Sequence, residues 1–157
     1  MKLKFLFTLA VLSTLFSCSE NAILDEYQDL PDSGWTQEQE LIMEFEITDT
    51  TTYYQFYSNL RLNADYPYSN IHLLMSTISP DSTISKEIIS VKLAEKSGKW
   101  LGSGIGNVIT FQEPFPNRKM FKQAGTYTVK LSQYMRLETV EHVQSAGIKI
   151  IQQEQIL

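Results

Sequence analysis

Side chains able to move a proton near neutral pH are scarce in this sequence, which holds two histidines, His72 and His142, and one cysteine, Cys18. His72 falls inside "NIHLLM", on the face of an expected strand, and His142 falls inside the polar stretch "ETVEHVQSAG". Neither has a second histidine at metal-ligand spacing, so no zinc or copper site is expected. A Ser-His-Asp triad assembles in space rather than in sequence, but no Gly-x-Ser-x-Gly elbow marks one here. The neighbours Asp25 and Glu26 sit in an acid-rich stretch without a pocket-forming pattern, and Glu44 and Glu46 share the polar parity of a strand. Both pairs read as solvated carboxylates, not as a general acid and base held at different pKa values. The expectation is a protein that is not an enzyme and carries no metal or cofactor beyond a covalent lipid.

Two aromatic constellations remain. "KSGKWLGSGIGNV" places Trp100 among Gly98, Gly102, Gly104 and Gly106, with no following Lys-Ser/Thr and no helix pattern, so the run is not a phosphate cradle. Glycines there permit positive φ or close backbone approach. Trp100 is then either a plug over one end of the fold or a contact residue of the kind enriched at interface centres. "YPYSN" sets Tyr66 and Tyr68 on an expected loop, either covering a sheet edge or presenting rings to a sugar.

Cys18 points to attachment. Lys2 and Lys4 precede an uncharged run, Phe5–Phe16, which is the layout of a secretory signal. The run is shorter than the roughly 20 apolar residues a membrane-spanning helix needs. Leu15 and Ser17 at the −3 and −1 positions before Cys18 resemble the lipobox of bacterial lipoproteins. In that class residues 1–17 are removed and the sulfur of Cys18 takes up a diacylglyceryl group, with a further acyl chain such as palmitate on the new N-terminus. More than one chain is needed for stable anchoring, because a single chain binds only marginally. Ser19 in place of Asp favours sorting to the outer membrane, and the late acids at 25 and 26 favour its periplasmic face.

Cleavage leaves 140 residues with 11 basic and 18 acidic side chains, a net charge of −7. That is enough chain for one domain with a sizeable core. The acidic balance argues against nucleic-acid binding, which needs a basic face, and against attachment through a polybasic patch. Residues 18–34 hold five acids, a proline and a glycine without apolar periodicity, and read as an acidic tether. From residue 35 to 157 the period becomes two. Strands are expected near 41–47, 54–62, 70–78, 84–93, 107–111, 126–135 and 147–153, with one helical turn near 140–145. Seven to eight strands separated by turn signals, without long amphipathic helices, predict an all-β, antiparallel β-sandwich, of jelly-roll or immunoglobulin-like order.

Several phrases taken together resemble the GldH family of gliding-motility lipoproteins from Bacteroidetes: "FEITDTTTYYQFYSNLRLNADYPYSNIHLL", "LAEKSGKWLGSGIGNV" and "GTYTVKLSQYMRLETVEHVQSAGIKI". The likeness runs from about Tyr27 to Gln152 and includes Arg61, Tyr66-Pro67-Tyr68, Gly98-Lys99-Trp100 and Met135-Arg136. His72 stands where an aromatic residue is expected, and Asn107 where an acid is expected. The resemblance implies an outer-membrane lipoprotein serving gliding motility, linked to type IX secretion, with no catalytic residues to carry over. Its partners would be other gliding or secretion proteins of the cell envelope, with the membrane reached through the acyl anchor. Trp100, Tyr66, Tyr68 and Arg136 form the expected interaction surface. The alternative is a β-sandwich of the envelope that binds glycans or other ligands through the same rings.

Overall fold

Strand β3 (Leu41–Ile47) sets the pattern of the domain: Leu41, Met43, Phe45 and Ile47 are buried, while Ile42, Glu44 and Glu46 face solvent. Successive side chains of an extended strand point to opposite faces, so such alternation gives a sheet one core face and one wet face. The computed structural model describes residues 21–153, and among them there are strands and turns but no helix. Cys18 and the signal segment lie outside the described residues.

The remaining strands are β1 (Ala22–Asp29), β2 (Trp35–Thr36), β4 (Tyr54–Asn63), β5 (Asn70–Ile78), β6 (Ile84–Lys92), β7 (Ser103–Ile105), β8 (Val108–Pro114), β9 (Gly125–Gln133), β10 (Thr139–Val140) and β11 (Val143–Gln152). All pairings are antiparallel. β1 pairs with β11, β3 with β9, β4 with β8, and β5 with β6, so the chain returns on itself as one long ribbon. Rolling that ribbon adds the pairs β11–β4 and β9–β5. The result is a sheet β1-β11-β4-β8-β7 facing a sheet β3-β9-β5-β6, with β2 and β10 as a small separate pair. This double-ribbon order is that of a jelly roll, and it decides between the two orders that periodicity left open.

Three expectations need correction. Among the described residues eleven strands are present instead of seven or eight, the additions being β1 and the short β2, β7 and β10. The stretch read as a tether contributes β1, because its partners come from far along the chain. The Tyr27 ring lies under the Arg61 guanidinium at 4.2 Å, Asn59 Nδ2 donates to Asp25 at 2.8 Å, and Lys149 lies 3.8 Å from the same carboxylate. A register shift between Ala22 and Leu24 also breaks the local period. Finally, residues 140–145 hold no helical turn: β10 ends at Val140, His142 adopts a φ of 65°, and β11 begins at Val143.

The core lies between the sheets. Its centre is an aromatic cluster in which Phe121 and Tyr127 stand 4.7 Å apart and Phe45 lies 5.6 Å from Tyr127 and 5.9 Å from Phe56. Each such ring removes ~150–250 Å² from water. Trp35 is fully buried, and its indole N–H donates to the Gln39 carbonyl at 2.9 Å. Gln28 Nε2 ties the two sheets along one side by donating to the Ile42 carbonyl at 2.7 Å. In the glycine run, Gly104 approaches β8 so closely that a Cβ would meet the Val108 carbonyl at 2.6 Å.

The registers define two ends. At the near end Ala22 pairs with Ile151, Ile151 with Gln55, and Ile47 with Gly125, beside the β5–β6 turn. At the far end lie the finish of β4 and β9 and the start of β5 and β11.

Candidate functional site

Most outward positions of the β3-β9-β5-β6 sheet carry polar side chains, but its outer face breaks that rule toward the far end. On β6 the outward row includes Ile84 and Ile88 beside Lys86, Ser90 and Lys92. Ile88 lies opposite Leu74, and Leu74 opposite Ser132 on β9. Past the end of β9 the chain runs along this face, held by the Tyr134 N–H donating to the His72 carbonyl at 2.7 Å. The result is a cleft of about 570 Å³ in which Tyr68, His72, Ile88, Tyr134, Arg136 and Leu137 meet. Ile88 and Tyr134 remain 56% and 52% exposed, although both are large and apolar. A contiguous exposed apolar surface rimmed by polar groups marks a contact site more than isolated surface hydrophobes do.

Buried polar groups fix the walls of the cleft. Gln133 is almost fully buried and donates to the Leu137 carbonyl at 3.1 Å, while its own oxygen accepts the Met135 N–H at 2.8 Å. The exposed Gln37 also donates to the Met135 carbonyl, at 2.8 Å. These bonds brace the 134–138 segment, so Tyr134 and Arg136 are displayed from an anchored loop. On the other wall Tyr66 is buried, and its hydroxyl donates to the Asn70 carbonyl at 3.1 Å. Burial, and secondarily the neighbouring Tyr68, push the Tyr66 phenol well above its ordinary pKa, which keeps that donor protonated. Tyr66 in turn supports Tyr68 edge-on at 5.5 Å. The Asn70 amide lies 3.1 Å from His72 Nε2, and the His72 N–H points to Met135 Sδ at 3.3 Å.

Of the expected contact residues, Tyr68 and Arg136 thus share one cleft, with Tyr66 behind Tyr68 and out of reach of a ligand. Trp100 stands apart from them, half-buried, with its ring 6.2 Å from Phe111. His142 is exposed in the connection between β10 and β11. Sequence reasoning missed Tyr134 and Ile88. The available signal was two isoleucines at outward positions of a strand whose other outward residues are polar. Among the described residues no three His, Cys, Asp or Glu side chains come together as a metal cluster.

Fold and site together describe a jelly-roll domain that displays an apolar, aromatic-rimmed cleft on one outer sheet face. No solved structure matches it. The chain belongs to the GldH lipoprotein family, whose sequence profile matches residues 22–150, from the first residue of β1 to within two residues of the end of β11. It is similar to a gliding motility lipoprotein GldH homolog of Christiangramia forsetii, 27% identical over 153 residues that cover 93% of this chain and 91% of that protein. It is also similar to the gliding motility lipoprotein GldH of Flavobacterium johnsoniae, 25% identical over 147 residues that cover 89% and 91%.

Proposed function

We propose that this chain is an outer-membrane lipoprotein, anchored through acyl chains on Cys18 and facing the periplasm, that serves gliding motility as a non-catalytic accessory component linked to type IX secretion. It acts by binding another envelope protein through the cleft between Tyr68 and Tyr134. The family match over the whole domain carries the motility role, since both relatives are named as gliding motility lipoproteins. The cleft supports the mode of action. Its two tyrosines, Met135 and Arg136 are of the residue types enriched at protein interfaces. Its position supports it too, because the start of β5 and the end of β9 lie at the end remote from Asn21, where the chain leads back to Cys18. A docking surface placed there points away from the bilayer, while the anchor holds it at a high local concentration.

The test is replacement of the chromosomal gene in the native bacterium. Deletion should abolish colony spreading and wild-type protein should restore it. Cys18→Ala should give a folded protein lost from the membrane fraction after alkaline washing. An Ile88→Ser/Tyr134→Ser protein should stay anchored and fail to restore spreading. Normal spreading by the deletion strain would refute the motility role, and full rescue by the double variant would refute the cleft.

A further inference from the structure

Three observations meet at the near end of the sandwich. The first is where the chain emerges. The Gln152 N–H donates to the Asn21 carbonyl at 2.9 Å, and the Gln153 N–H donates to the Tyr53 carbonyl at 2.8 Å. Tyr54 and Lys119 exchange backbone hydrogen bonds at 2.8 and 2.9 Å, which places Tyr53 next to Met120. Asn21, the first described residue, therefore lies at the same end of the sandwich as these two side chains. Cys18 precedes Asn21 by only three residues, a reach of at most about 11 Å. The nine residues of β5 make the sandwich roughly 30 Å long. The near end, and not the far end, is thus within reach of a lipid carried on Cys18.

The second observation is what that end exposes. Tyr53 and Met120 are each 51% exposed. Arg118 and Lys122 flank Met120 on the same loop and are also exposed. The third is a recess of about 520 Å³ between this loop and the β5–β6 turn, lined by Thr77, Ser79, Thr83, Ser85, Asp81 and Lys122. On the inner face here the paired positions change from Leu73–Ile89 to Met75–Glu87 to Thr77–Ser85, so the core gives way to a polar mouth. The hydroxyls of Ser79, Thr83 and Ser85, with Asp81 and Lys122, offer hydrogen bonds to a polar group seated there.

We propose that the near end is a bilayer-contact face: Tyr53 and Met120 enter the interfacial layer of the membrane in which the Cys18 acyl chains are embedded, with lipid headgroups occupying the hydroxyl-lined recess. This rests on the anchoring of Cys18 proposed above. Tyrosine favours the headgroup level, with its ring in apolar surroundings and its hydroxyl wet, and methionine adapts to an irregular apolar environment. Arg118 and Lys122 reach lipid phosphates, while Asp81 complements the ammonium of a zwitterionic headgroup. These paired signs remove, at this one end, the repulsion that a net charge of −7 would otherwise bring to an anionic surface. The acyl chains supply the affinity, and the face fixes the orientation that turns the docking cleft away from the membrane.

The experiment uses the full acylated chain in vesicles of phosphatidylethanolamine and phosphatidylglycerol. A polarity-sensitive thiol probe is placed on Met120→Cys, on Tyr53→Cys as a second near-end site, and on Glu141→Cys at the far end. Lipidation blocks Cys18, so each variant carries one reactive thiol. Flotation of the vesicles reports anchoring and the probe reports the face. The expected result is co-flotation, with probes at 53 and 120 blue-shifted and quenched by lipid-borne nitroxide, and the probe at 141 quenched only from water. Co-flotation with all three probes equally water-exposed would overturn the bilayer-contact face and leave anchoring intact. Failure to co-float would overturn the anchor reading and this inference together.

Discussion

Gly147 is the position where a single methyl group tests the edge of the first sheet. A Cβ at this position would lie 1.9 Å from the Glu26 carbonyl oxygen and 3.0 Å from the Tyr27 Cα. Real Cβ atoms do not approach backbone oxygen within about 3 Å, so Gly147→Ala forces β1 to back away by about 1 Å or more at its centre. A backbone hydrogen bond stretched by that amount is no longer one. The bonds at stake surround the pairs Glu26–Ile148, Tyr27–Gly147 and Gln28–Ala146. Losing about three or four of them, each worth ~0.5–1.5 kcal/mol net, destabilises the domain by about 3 kcal/mol. Loosening the Arg61–Tyr27 and Asn59–Asp25 contacts acts in the same direction. Urea unfolding of the two proteins should show this as a lower midpoint at similar slope. Amide exchange should accelerate across residues 24–28 while β5 and β9 stay protected. A loss below about 0.5 kcal/mol with unchanged exchange would refute the assignment of residues 22–29 to the sheet.

Four further outcomes follow from named contacts. Trp35→Ala should cost ~3–5 kcal/mol, since it empties a fully buried site. In the parent protein acrylamide should quench the half-exposed Trp100 and spare Trp35, and equal quenching would contradict the packing. Glu87→Gln breaks the 2.5 Å pair with Lys119, but with both side chains about a quarter exposed the cost should stay near 1 kcal/mol in urea titration, and a loss above about 2 kcal/mol would contradict that placement. Hydrogen bonds from the side chain and backbone of Thr51 hold the Asp49 carboxyl below its ordinary pKa, and those from the backbone and side chain of Thr83 do the same for Asp81. A lowered folded-state pKa gives stability that is complete above the ordinary carboxylate value and is lost as the pH falls through the folded one. The Asp49→Asn/Asp81→Asn protein should therefore lose less stability between about pH 5 and pH 2 than the parent, and identical acid profiles would contradict it.

Strands that are half-buried along their whole length were legible in the sequence: β3 alternates without a fault, and β5 runs over the residues its pattern marks. β1 was not legible, because one register shift breaks its period and its stabilising partners, Arg61, Asn59 and Lys149, lie far away in the chain. The three-residue β7 and the two-residue β2 and β10 are too short to carry a period at all. Strand order was undetermined for a similar reason, since either sandwich topology buries the same alternating residues. At the site, loop aromatics made Tyr68 visible but could not separate it from Tyr66, whose ring faces inward. Ile88 and Tyr134 escaped notice because an outward isoleucine and a tyrosine just past a strand become a surface only when β6 and the 134–138 segment meet on one sheet face.

The docking role of the cleft is tested most directly by photo-crosslinking in the native bacterium, with a photoreactive amino acid at position 134 and, as a control, at position 44 on the same outer face. The cleft predicts a discrete adduct with an envelope protein from position 134 that is lost when Ile88→Ser is added, and none from position 44. Equal labelling from both positions, or no adduct at 134 in cells that glide, would contradict it.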